Sequence, residues 1–190
     1  MRKLFLFLII AILPQFGFSQ KNMELQANVT YSQRLSDIWG YTDSVGNEYA
    51  LVGLKEGFSI MDVTNPSVSI DSIYEISGAS STWRDVKTWS HYAYVTNETE
   101  DGLLIVDLEN LPSGNLSHRY YTGDQFPFES AHNIYIDENG IGYIFGADYG
   151  EGGAIILDLA SDPWNPTELG VFDEYYLHDG MARGDTLWGS

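Results

Sequence analysis

The 190-residue sequence has no cysteine, and only nine basic side chains stand against 27 acidic ones. Without cysteine there is neither a disulfide scaffold nor a thiolate zinc site. So few Lys and Arg cannot build the clustered cations that phosphate contacts need, which excludes nucleic acid as a partner through a basic face. A transmembrane helix needs about 20 apolar residues, and no run of that length occurs. The Gly-x-Ser-x-Gly elbow and the Gly-x-x-x-x-Gly-Lys phosphate loop are also missing, so nucleophilic and nucleotide chemistry have little support. What is present argues for a packed domain. Hydrophobic residues make up 44% and aromatics 14%, too many for a disordered chain. Nineteen Gly and 13 Tyr suit many short strands joined by tight turns.

The first residues have the layout of an export signal. Arg2 and Lys3 are followed by an unbroken apolar run from Leu4 to Leu13, then Pro14 and the small-residue site Gly17-Phe18-Ser19. This predicts a signal peptide over residues 1–19, cleaved before Gln20. The run is too short to anchor the chain as a helix. The expectation is a secreted protein, extracellular or at the cell surface, with no transmembrane span in the mature segment.

The remainder repeats. Gly57-Phe58-Ser59-Ile60-Met61-Asp62, Gly102-Leu103-Leu104-Ile105-Val106-Asp107 and Gly153-Ala154-Ile155-Ile156-Leu157-Asp158 share one pattern of Gly, four small or apolar residues and Asp. A β-rich stretch precedes each: Tyr49 to Gly53, Tyr92 to Thr96 and Gly142 to Gly146. Further upstream, Asp37, Asp85, Asn133 and Asp179 form a column with spacings of 48, 48 and 46 residues. Each unit contains signals for four strands, and no window outside the signal keeps a helical period. Four-stranded antiparallel units at this period predict an all-β fold, a β-propeller. Only three and a half units are present, so an incomplete arc is expected. The units are 36–83, 84–131, 132–177 and a partial 178–190, after a lead-in over residues 20–35. In the first unit the alternation of Val68 to Ile76 predicts the fourth strand.

These residues carry a resemblance. Ser36-Asp37-Ile38-Trp39-Gly40-Tyr41, Ile60-Met61-Asp62-Val63-Thr64-Asn65-Pro66 and Leu104-Ile105-Val106-Asp107 resemble the choice-of-anchor B family of LVIVD-repeat propellers. Trp83-Arg84-Asp85-Val86, His132-Asn133-Ile134 and His178-Asp179-Gly180 stand where that family has similar words. The resemblance implies an exported repeat protein, usually surface-associated, with no established enzymatic activity.

Equivalent positions on the innermost strands of a propeller converge on its central channel. One column is Asp37, Asp85, Asn133, Asp179; the column before it is Ser36, Arg84, His132, His178. Asp37, Arg84, Asp85 and Asn133 are therefore candidate ligand-binding residues. His132, His178 and Asp179 are candidate metal ligands, since imidazole nitrogen and carboxylate oxygen suit a divalent cation. The same Asp column also reads as structural, with each carboxylate accepting backbone hydrogen bonds between blades. Asp62, Asp107 and Asp158 read as turn residues. The loops Asn97 to Asp101 and Asp148 to Glu151 read as solvated acidic turns, with calcium ligation as the alternative. Trp39, Trp83, Trp89 and Tyr92 are expected to fill space between blades. Two functional classes remain open, since propellers host both: a module that binds an extracellular protein or glycan, and a metal-assisted extracellular enzyme. No catalytic residue is assigned.

Overall fold

A computed structural model of the chain describes residues 23–68 and 70–190. The expected signal peptide lies outside the described residues. Within them the chain forms strands and no helix. β1 (Leu35–Thr42), β2 (Glu48–Leu54), β3 (Gly57–Asp62) and β4 (Asp71–Ser77) make the first sheet. β5 (Val86–Trp89), β6 (Tyr92–Val95), β7 (Leu103–Asp107) and β8 (His118–Tyr121) make the second, and β9 (Asn133–Ile136), β10 (Ile141–Phe145), β11 (Ala154–Asp158) and β12 (Thr167–Phe172) the third. β13 (Gly180–Arg183) and β14 (Thr186–Gly189) form a two-stranded hairpin. Every pairing is antiparallel and follows chain order. The first strands of the four sheets, β1, β5, β9 and β13, lie side by side. The result is an all-β, propeller-like stack of sheets that does not close into a ring.

The central strands are apolar on both faces because each sheet is packed on both sides. Side chains alternate along a strand. Thus Leu104 and Val106 of β7 pack toward the first sheet, against Leu51, Phe58 and Ile60, while Leu103 and Ile105 pack toward the third, against Ile134, Ile144 and Ile155. A third seam joins Tyr143, Phe145 and Ala154 to Ala182 and Leu187 of the final hairpin. Each fully buried Leu, Ile, Val or Phe among them contributes about 1.5–3 kcal/mol of transfer free energy. The face of the first sheet turned away from the second carries Ala50, Val52 and Met61. The lead-in lies across it, and Val29 and Tyr31 help line a cleft of about 290 Å³.

The repeated glycine has a steric cause. A Cβ on Gly57 would come within 2.0 Å of the Ile76 carbonyl oxygen, on Gly102 within 2.4 Å of that of Tyr121, and on Gly153 within 1.9 Å of that of Phe172. In each four-stranded sheet the start of the third strand therefore presses on the end of the fourth. The repeated Asp at the strand's other end closes a turn. Asp62 Oδ1 accepts the Thr64 amide, Asp107 Oδ1 that of Glu109, and Asp158 Oδ1 those of Ala160 and Ser161.

Local details depart from the sequence reading. The fourth strand of the first sheet begins at Asp71, because Val68 belongs to a turn in which its amide bonds the Asn65 carbonyl. Trp89 and Tyr92 pack into the seam between the second and third sheets as expected, but Trp83 is 56% exposed. Trp39 is also exposed, with its Nε1 donating to Thr88 Oγ1 and Lys87 lying over its ring.

Candidate functional site

Both columns lie at the starts of the innermost strands, where neighbouring sheets meet. In the carboxylate column, Asp37 Oδ2 accepts the Val86 amide at 2.9 Å, and Asp85 Oδ2 accepts the Ile134 amide at 3.0 Å. Each carboxylate thus reaches the next sheet, at the residue that follows its own equivalent. The other oxygen of Asp85 pairs with Lys87 Nζ at 2.6 Å. Burial pushes the Asp85 carboxyl above the ordinary carboxylate range, and the nearby Asp37 acts in the same direction, against Lys87 and the Ile134 amide. Asn133 opens β9, half-buried, opposite Phe145.

In the neighbouring column the contacts also run from one sheet to the next. Ser36 Oγ accepts the Arg84 amide at 2.7 Å and donates to the Arg84 carbonyl at 3.0 Å. The Arg84 side chain turns into the seam, where Nε donates to the Leu54 carbonyl at 2.8 Å and the guanidinium also bonds the Ala79 carbonyl. It is almost wholly buried. That burial lowers its pKa from the ordinary guanidinium value. Its partners are backbone carbonyls rather than a carboxylate. Asp37, Asp85 and Arg84 accordingly spend polar atoms on holding the sheets together.

The histidines are different. The rings of His132 and His178, 46 residues apart in sequence, have centroids 3.8 Å apart and planes tilted by 45°. His132 Nδ1 lies 2.5 Å from Glu98 Oε1, and His178 Nδ1 lies 2.8 Å from Asp179 Oδ2. An ionised carboxylate only accepts, so each Nδ1–H donates to its carboxylate. One ligand atom from each of His132, His178 and Asp179 lies within 4.8 Å of the other two. His132 is shielded, whereas the His178 and Asp179 side chains are 55% and 50% exposed. The site therefore opens to solvent on the hairpin side.

Tyr176 completes this rim. It is 54% exposed, and its ring meets the edge of His178 with centroids 6.4 Å apart. Two glycines make room for it. A Cβ at Gly146 would stand 2.9 Å from its hydroxyl oxygen, and one at Gly152 would stand 2.8 Å from its Cδ2. Neither Glu98 nor Tyr176 was among the residues the repeat columns picked out. Glu98 comes from the loop after β6 and Tyr176 from the segment after β12, both outside the column positions.

Side chains in the acidic loops accept backbone amides, from their own loop at Asn97 and from a neighbouring loop at Asp148. Asn97 Oδ1 accepts the amides of Thr99 and Glu100, and its Nδ2 donates to the carbonyls of Glu100 and Gly102. Asp148 Oδ1 accepts the amides of Glu129 and Ser130. Glu168, on β12, is a buried carboxylate that accepts the amides of Asp124, Gln125 and Phe126. A second group of His91, Asp107 and Glu109 gathers at the far end of the second sheet. There Asp107 Oδ1 is already taken by the Glu109 amide.

The LVIVD repeat family model matches residues 40–70 and 82–122. These stretches cover the inner three strands of the first sheet from Gly40 onward and all of the second. The chain is thus similar to LVIVD-repeat proteins over two of its sheets, and the third sheet has the same strand order. No curated protein and no solved structure matches the chain.

Proposed function

We propose that this chain is an exported, surface-associated binding module of the LVIVD propeller type. Its recognition site is the rim formed by Tyr176, His178, Asp179 and His132. The observation that carries this reading is the exposed Tyr176 ring seated against His178. An aromatic face held over two glycines offers rigid contact area at low entropic cost. The adjoining imidazoles and carboxylates supply the few polar groups that fix a ligand's orientation. An extracellular protein or glycan is the partner such a surface suits. Export is supported by the basic, apolar and small-residue succession of residues 1–19, and surface association by the resemblance to choice-of-anchor B proteins.

The test is binding of the purified protein to a panel of extracellular polysaccharides and surface proteins, measured by biolayer interferometry. Tyr176→Ala should abolish binding to the partner found. Binding unchanged by that substitution would remove the rim from recognition. The paired imidazoles beside a carboxylate support a second reading, an extracellular metal-assisted enzyme. Turnover of a bound partner, rather than its retention, would select it.

A further inference from the structure

We infer that His132, His178 and Asp179 bind a divalent transition-metal ion, with Glu98 as the residue that positions His132. The inference rests on the rim described above but not on what that rim recognises.

The donor set is two imidazoles and one carboxylate, which suits zinc and copper and is poor for calcium or magnesium. Both Nδ1 atoms are engaged by carboxylates, Glu98 and Asp179. Glu98 thereby directs His132 Nε2 toward the ion, while Asp179 leaves His178 Nδ1 to become a ligand itself. A carboxylate behind a ligating histidine orients the ring and raises its basicity. With bonds of about 2.0–2.2 Å, the ligands of a tetrahedral ion sit roughly 3.3–3.6 Å apart. One nitrogen of each ring and one Asp179 oxygen already lie within 4.8 Å of one another. Small side-chain rotations close the remaining gap. His178 and Asp179 are half exposed and exchange their mutual hydrogen bond for the ion, while His132 is held by Glu98 and serves as the fixed member.

The convergence comes from the repeat rather than from local sequence. His132 and His178 hold the same position in successive units, as do Ser36 and Arg84, and both pairs touch. In the earlier pair the contact is spent on backbone hydrogen bonds. In the later pair a nitrogen of each ring comes within 4.8 Å of the other, close enough to share a ligand. The formal charge of −18 adds an attractive field for a cation. Three protein ligands leave one position for water or an exchangeable group.

The test uses the purified protein and the metal alone. After treatment with a chelator, zinc should bind with one-to-one stoichiometry in a calorimetric titration. Copper(II) should give an electron paramagnetic resonance spectrum with coupling to two imidazole nitrogens. The His132→Ala, His178→Ala double variant should bind zinc at least about 100-fold more weakly, having lost two of three ligands. Glu98→Ala should weaken it by about 10–100-fold, with its circular dichroism unchanged. Should His132→Ala unfold the protein, His178→Ala and Asp179→Asn carry the same test from exposed positions. No zinc uptake by the wild-type protein, or equal uptake by the ligand variants, would overturn the site. Equal affinity in Glu98→Ala would remove the positioning role. Partner binding that survives chelation would leave the recognition reading standing whatever the metal result, so the two fail separately.

Discussion

The carboxylate of Asp85 accepts the amide of Ile134 at 3.0 Å, across the seam between the second and third sheets. Asp37 makes the same bond to Val86 across the preceding seam. The repeated Asp is thus a latch from one unit to the next, and its spacing of 48 residues is the length of the unit it spans. Removing it leaves a backbone amide without its acceptor and Lys87 without its carboxylate partner. Asp85→Ala is therefore expected to cost about 1–3 kcal/mol. Urea unfolding followed by intrinsic fluorescence measures this, and a midpoint unchanged from wild type would show that the latch carries no stability.

The same residue makes stability depend on pH. Its folded-state pKa is raised above the unfolded value, chiefly by burial. A raised carboxyl binds a proton more readily in the folded state, so acidification favours folding through this group. Relative to Asp85→Asn, which cannot titrate, the wild-type protein should gain stability as pH falls through the raised value. The gain ends near the ordinary Asp value of about 3.9. Paired unfolding curves between neutral pH and that limit provide the check, because contributions of the other carboxylates cancel in the difference. A difference that shrinks for the wild type on acidification would reverse the assigned direction.

How much of this was legible depended on what repeats. The strand order, the apolar seams and the turn role of Asp62, Asp107 and Asp158 follow from a motif present three times. The Asp column was visible too, with its latch as one of two open readings, since a column shows position and not what the side chain meets. Arg84 shows the limit. Its column suggested the channel mouth, yet its long side chain folds back to Leu54 and Ala79. Rotamer choice, invisible in spacing, decides that. Glu98 and Tyr176 lie in segments of differing length between strands, so no alignment of the units could have brought them to His132 and His178. Trp83 was expected between blades and is exposed, because a large ring next to the column has no equivalent in the other units to fix its direction.

Arg84 supplies a further expectation. It is a buried cation whose partners are two carbonyls, so its loss strands both acceptors in the seam. Arg84→Met should destabilise the protein by about 2–4 kcal/mol. Arg84→Lys should recover only part of this, since an ammonium cannot reproduce the fork of the guanidinium. Equal stability of the Lys variant and wild type would show that one donor suffices.

Export is checked on the protein recovered outside the cell. Processing after Ser19 should leave Gln20, free or cyclised, as the first residue in mass spectrometry. An exported protein that still begins at Met1 would refute the cleavage site.

The last expectation concerns the glycine that opens the third strand. At Gly102 the backbone has φ of 67°, and a Cβ would stand 2.4 Å from the Tyr121 carbonyl oxygen. The obstacle is backbone of the neighbouring strand, which cannot swing aside as a side chain would. Gly102→Ala therefore combines a left-handed conformation with a clash and should cost on the order of 2–4 kcal/mol. Gly40, on β1, is the control. A Cβ there meets nothing within 4 Å, so Gly40→Ala should change stability by no more than about 0.5 kcal/mol. Gly57 and Gly153 face the same obstacle from Ile76 and Phe172, so Gly57→Ala and Gly153→Ala should follow Gly102→Ala. If all four variants unfolded at the wild-type urea concentration, the repeated glycine would owe nothing to the close approach of the third and fourth strands.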